Sequence, residues 1–210
     1  MMNAGHTAIT ALSAALVLTP LPASADADVP PPGSVSVALT TLSGSGCPQG
    51  TVMIDSRVES FTVRYSNYRA MAGVDQPPRS FRKSCSGGLK VSHPPEFTYG
   101  IMKVKQEGYG ELQDGASGSM RSAFSHPGAP AGKGSEHVIQ GPYFHNWQFI
   151  DQSDVPEVPV KPCDSPSTIT LATEMRIDAG TSDNSKTSYM VLDDVDNDPG
   201  STYHFYWKHC

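Results

Sequence analysis

The chain has 210 residues, and its 15 Lys and Arg stand against 21 Asp and Glu for a formal net charge of −6. No basic stretch is large enough to neutralise phosphates, which argues against nucleic acid and anionic lipid as partners. Only 17% of residues are charged while Gly and Pro number 19 and 18, a balance that favours many short strands over helices.

Residues 1–25 read as a secretory signal peptide. The small, apolar stretch from Ala8 to Leu18 is too short to cross a bilayer, and Pro20 and Pro22 end any helix it could form. Ala23-Ser24-Ala25 then places small residues at the two positions a signal peptidase inspects, so cleavage is expected between Ala25 and Asp26. The overlapping Ala25-Asp26-Ala27 would instead start the mature chain at Asp28. About 185 residues remain, enough for one domain with its own core. Residues 26–34 read as a Pro-rich linker and 35–210 as a single domain. No later segment approaches ~18 continuous apolar residues, so no membrane-spanning helix is expected.

Strand signals recur from there to the end. Val35, Val37 and Leu39 alternate with Ser34, Ser36 and Ala38, and Phe61, Val63 and Tyr65 alternate with Thr62, Arg64 and Ser66. Weaker strands are expected over 52–54, 89–91, 97–104, 120–125 and 188–192. The cleanest run sets Ile169, Leu171, Thr173, Met175 and Ile177 against Thr170, Ala172, Glu174 and Arg176. Tyr203, Phe205 and Trp207 form a last alternating strand. In each, a period of two sends the first set to a buried face and the second to solvent. Turns are expected at Gly44-Ser45-Gly46, Gly87-Gly88, Gly108 to Gly110 and Asp178 to Asn184, and a loop at Pro127 to Gly134. The expected fold class is all-β, an antiparallel β-sandwich with two disulfides; a barrel is the alternative.

Four cysteines, Cys47, Cys85, Cys163 and Cys210, imply two disulfides in an exported chain, with three pairings open. Pairing neighbours, Cys47 with Cys85 and Cys163 with Cys210, is favoured; each closes a loop worth ~4 kcal/mol in the loop-entropy model. Cys210 then staples the last strand. Zinc lacks its usual CxxC or HxxxH spacing. Strict alternation puts Cys210 on the face opposite Phe205 and Trp207, so either the pleat breaks near Lys208 or that disulfide lies outside.

Several strings resemble an uncharacterised secreted family, domain of unknown function 4360, of filamentous fungi and actinobacteria. They are Gly46-Cys47-Pro48-Gln49-Gly50-Thr51, Phe61 to Ser66, Arg82-Lys83-Ser84-Cys85, Gly141-Pro142-Tyr143 with Trp147, Ala179 to Asp183, and the ending Thr202 to Cys210. The resemblance implies a small extracellular β-rich protein and transfers no catalytic residue.

Catalytic signatures fall short. Gly115-Ala116-Ser117-Gly118 lacks the second glycine of a nucleophile elbow and reads as a turn. A copper brace would need histidine at the mature N-terminus, where this chain has Asp26 or Asp28. Glu174 and Asp178 share one strand face but lie roughly 13 Å apart, too far for a glycosidase pair. Asp194-x-Asp196-x-Asp198 imitates half of a calcium loop, with Pro199 where that loop needs glycine, so a weak calcium site competes with a solvated turn and no other cofactor is expected. Tyr143, Phe144 and Trp147 are the candidate ligand-binding residues, rings that would stack on sugar faces if exposed; a strand core face is the competing interpretation of Trp147 and Phe149. The expected function is a secreted, non-catalytic surface or cell-wall binding module, or an effector, whose partner is a wall polysaccharide or an extracellular host protein. The alternative is a polysaccharide-active hydrolase with a carboxylate site not identified.

Overall fold

The computed structural model describes residues 28–77, 79–129, 134–192 and 200–210. Two antiparallel sheets pack face to face. The first orders its five strands as β1 (Ser36–Ser43), β5 (Arg82–Ser92), β10 (Thr168–Asp178), β7 (Ser117–Ser125) and β8 (Ser135–Gln140). The second is built on β6 (Phe97–Leu112). Along one edge of β6 run β12 (Gly200–His209) and then β11 (Ser188–Leu192), while β9 (Tyr143–Gln152) pairs with its other edge. Next to β12 come β3 (Ser60–Tyr65) and β2 (Val52–Ser56), and next to β11 comes β4 (Tyr68–Ala72). Among the described residues the one helical element is a single 3-10 turn, Val155–Glu157.

Alternation is why the chain folds so. In β10, Ile169, Leu171, Met175 and Ile177 are buried and Thr170, Ala172, Arg176 and Asp178 are exposed. In β12, Tyr203, Phe205 and Trp207 point inward, where Phe61 stacks on Tyr203 at 4.9 Å and Trp207 donates its indole N–H to the Val58 carbonyl at 2.7 Å. The pleat holds to Trp207, and the disulfide from Cys210 to Cys163 lies on the exposed side of the strand end. The other disulfide joins Cys47 to Cys85. Both pairings are those between neighbours along the chain.

Two expected turns are strand interiors. Gly87 and Gly88 lie within β5, and Gly108 to Gly110 lie within the 16-residue β6. Glycine serves close approach there rather than reversal. A Cβ on Gly108 would collide with the Val191 carbonyl oxygen and stand 2.5 Å from the Trp147 ring. β6 also takes one extra residue opposite His204 and Phe205, so its buried parity changes from Phe97, Tyr99 and Ile101 to Val104 and Gln106. That bulge blurs its alternation, as half-polar faces blur β4 and β8, which the sequence pattern does not single out, whereas β9 is the strand whose core face Trp147 and Phe149 form.

Candidate functional site

The alternation of β9 divides the aromatic candidates. Tyr143, Trp147 and Phe149 face inward, and Phe144 and Asn146 face outward. Trp147 is only 3% exposed and stacks on Phe149 at 4.9 Å, so its indole is a core group whose face is already occupied. Tyr143 packs at the core margin, its hydroxyl donating to the Asn146 carbonyl at 2.8 Å. Phe144, 63% exposed, is the ring that solvent reaches.

Phe144 has partners that sequence proximity does not reveal. Tyr109 of β6, Tyr189 of β11 and Arg69 and Met71 of β4 share its outward face. Register aligns Met71, Tyr189, Glu111 and Phe144 in one row across four strands, with Arg69, Val191, Tyr109 and Asn146 in the next. Phe144 stands nearly perpendicular to Tyr109, centroids 5.6 Å apart, and Tyr189 lies 6.1 Å beyond at 39°. The Arg69 guanidinium covers the Tyr189 ring at 5.1 Å. Desolvation and the negative charge of Glu111 push both tyrosine hydroxyls up, keeping them as protonated donors. The result is a corner of three rings rimmed by a carboxylate, a guanidinium and an amide, able to meet the apolar face and the hydroxyls of one ligand together. The hint in the sequence was slight: Tyr109 stands between two glycines, and Tyr189 alternates with Met190.

Glu174 sits on the opposite outer face, in the first sheet. It accepts from Arg82, while Arg121 of β7 donates from Nε and Nη2 to the two oxygens of the Glu136 carboxylate of β8, each at 2.9 Å. Bonding to the Arg82 guanidinium lowers the pKa of Glu174, although its partial burial opposes this. A carboxylate so held is an acceptor and not a proton donor at neutral pH.

The remaining polar groups are mainly structural. His93 lies between the Pro94 carbonyl (2.9 Å) and the Ser167 hydroxyl (2.8 Å), and His137 Nε2 lies 2.9 Å from Asp151 at the edge where β8 meets β9. Lys161, 2% exposed, donates its ammonium to the carbonyls of Pro162 (2.8 Å), Cys163 (3.3 Å) and Ser165 (3.0 Å), clasping the loop that carries the disulfide. The calcium candidates Asp194, Asp196 and Asp198 and the cleavage position Ala25/Asp26 lie outside the described residues. Among the described residues no group of three or more His, Cys, Asp or Glu could hold a metal, and no helix is long and apolar enough to cross a membrane.

The family model described as "Domain of unknown function (DUF4360)" matches residues 33–210. The chain belongs to this family. A curated relative of this DUF4360 chain is an "Uncharacterized secreted protein" of Arthroderma benhamiae, 23% identical over 192 residues that cover 90% of this chain and 77% of the relative. Among solved structures it is similar to TmCBM61 in complex with beta-1,4-galactotriose, at TM-score 0.32 and 10% identity, over 84% of this chain and 89% of that one. It is also similar to the enzymatically active domain of Bacteriophage CBA120 tailspike protein 4, at TM-score 0.26 and 10% identity, over 85% of this chain and 20% of that one. Likenesses this low carry no function across.

Proposed function

We propose that the protein is exported through residues 1–25 and acts outside the cell as a non-catalytic binding module for polysaccharide. The ligand's sugar rings rest on the corner formed by Phe144, Tyr109 and Tyr189. The observation that carries this is the exposure of Phe144 within an aromatic cluster assembled from three strands. A pyranose has an apolar C–H face for such rings and equatorial hydroxyls for Glu111, Arg69 and Asn146 at the rim. Two disulfides and a relative described as secreted accord with an oxidising, extracellular setting.

The test is retention of the mature protein on insoluble chitin, β-glucan, cellulose and xylan, with soluble sugar assayed in the supernatant. Wild type is expected to be retained on at least one polymer without releasing sugar. Each ring contributes roughly 1 kcal/mol beyond its buried area, so Tyr109→Ala with Phe144→Ala should weaken retention about tenfold or more. Unchanged retention of that double variant would overturn the assignment.

One observation favours a hydrolase as the second reading: Glu174 and Glu136 share an outer face two strands apart, roughly 10 Å between backbones. That approaches the spacing of an inverting pair. Against it, a general acid needs a raised pKa, and Glu174 is lowered by its bond to Arg82. Release of soluble sugar that Glu174→Gln abolishes would establish the hydrolase instead.

A further inference from the structure

The outer face of the five-stranded sheet holds a trough that none of the aromatic residues enters. Its floor is one row across the sheet: Ser43, Ser86, Ala172, Ala123 and then Gly134, just before β8. Four strand spacings make that row about 19 Å long. All five residues are small, so the floor stays low and the cavity reaches about 570 Å³. Along one side the next row raises a wall, Ser84, Glu174, Arg121 and Glu136, with Arg82 joined to Glu174 from beyond. One end is closed by the loop after β1. Gly44 (φ +132°) folds it so tightly that a Cβ would meet the Ser84 carbonyl, Gly46 N–H donates to that carbonyl at 2.8 Å, and Cys47–Cys85 locks the contact.

We infer that this trough is a second saccharide site, which takes an extended, uncharged sugar chain lying across the strands. The charges select the class. Around the trough Arg82, Arg121 and Arg176 are matched by Glu136, Glu174 and Asp178. Lys90, two rows beyond the floor on β5, leaves the described residues of this face with one excess positive charge, too little to hold a polyanion and no attraction for a polycation. Carboxylate and guanidinium alternate along the wall at fixed separations. Neighbouring sugar hydroxyls can therefore donate to one and accept from the other, while the serine hydroxyls of the floor do either. Among the described residues no leucine, isoleucine or aromatic side chain lines the trough, so it lacks the deep apolar recess that a large apolar peptide side chain or a lipid tail would fill. Binding also costs little ordering, because the floor side chains are short and the wall is already held by its own ion pairs.

The site shares only its ligand class with the aromatic corner and is tested with that corner disabled. In the Tyr109→Ala, Phe144→Ala background, cellohexaose, laminarihexaose and chitohexaose are titrated by calorimetry. One hexaose is expected to bind one-to-one, and adding Ala172→Trp, which fills the trough from an exposed strand position, should weaken it at least tenfold. Amide NMR shifts on adding the same hexaose should centre on Ser86, Ala123, Ala172 and Glu174, an independent readout should the tryptophan variant fold poorly. The inference is overturned if the corner-disabled protein binds none of the three, or if the shifts fall elsewhere. Failure of the aromatic corner looks different: the corner-disabled protein would then match wild type on insoluble polymer.

Discussion

At the scale of single residues, burial decides chemistry that identity alone leaves open. His126 is 4% exposed, set edge-on to Tyr99 at 5.4 Å and close to Phe124. Desolvation, aided by the positive charge of Lys161, lowers its pKa from 6.5 to about 4. Between those values the unfolded chain binds a proton that the folded chain refuses, so stability rises with pH across the window. The full contribution is present above about pH 6.5 and falls by up to about 3 kcal/mol as pH approaches 4. Urea unfolding at pH 7 and pH 4.5 should show that loss in wild type and a markedly smaller one in His126→Phe, whose ring keeps the Tyr99 contact. In the sequence this histidine was one of several scattered, unspaced ones. Trp147 teaches the same lesson: its neighbours Tyr143 and Phe144 read as one cluster, yet adjacent residues of a strand point to opposite faces.

At the scale of elements, alternation revealed the strands whose two faces differ sharply. β10 and β12 were legible because each sets large apolar residues against polar or small ones throughout. β6 was cut short because its glycines imitate a turn and its bulge reverses the period midway. The glycines make room for β11 and Trp147 to approach, and nothing local announces an approach made by residues about 40 and 80 positions away. Gly108→Ala should therefore cost about 3 kcal/mol or more, since the new methyl meets a backbone carbonyl that cannot move without parting β11 from β6. Gly50→Ala is the control. It has a positive φ of 82° but no atom within 4 Å of the added Cβ, so it should cost only the backbone strain, on the order of 1 kcal/mol. Denaturant midpoints of the two variants measure the difference between crowding and strain.

At the scale of the whole molecule, the two disulfides tie loops to the sheets at places that matter differently. Cys47–Cys85 closes the trough end, and Cys163–Cys210 joins the last strand to a loop that Lys161 already gathers. Replacing Cys163 and Cys210 by serine should lower stability by about 4 kcal/mol in the loop-entropy model while leaving saccharide binding intact. Removing Cys47 and Cys85 should cost a similar amount and weaken hexaose binding in the trough as well. Thermal melts and calorimetry on the two pairs separate these outcomes. The sequence by itself determined the fold class, the family resemblance, most strand positions and the disulfide pairing that was favoured. These rest on local periodicity, turn composition and cysteine order, all of which a linear chain carries. Only the tertiary structure decided which aromatic side chains meet solvent and that small residues from four strands and the residue leading into a fifth line up into a trough. Both depend on register between strands distant in sequence, and register is set by packing of the whole core rather than by any one segment.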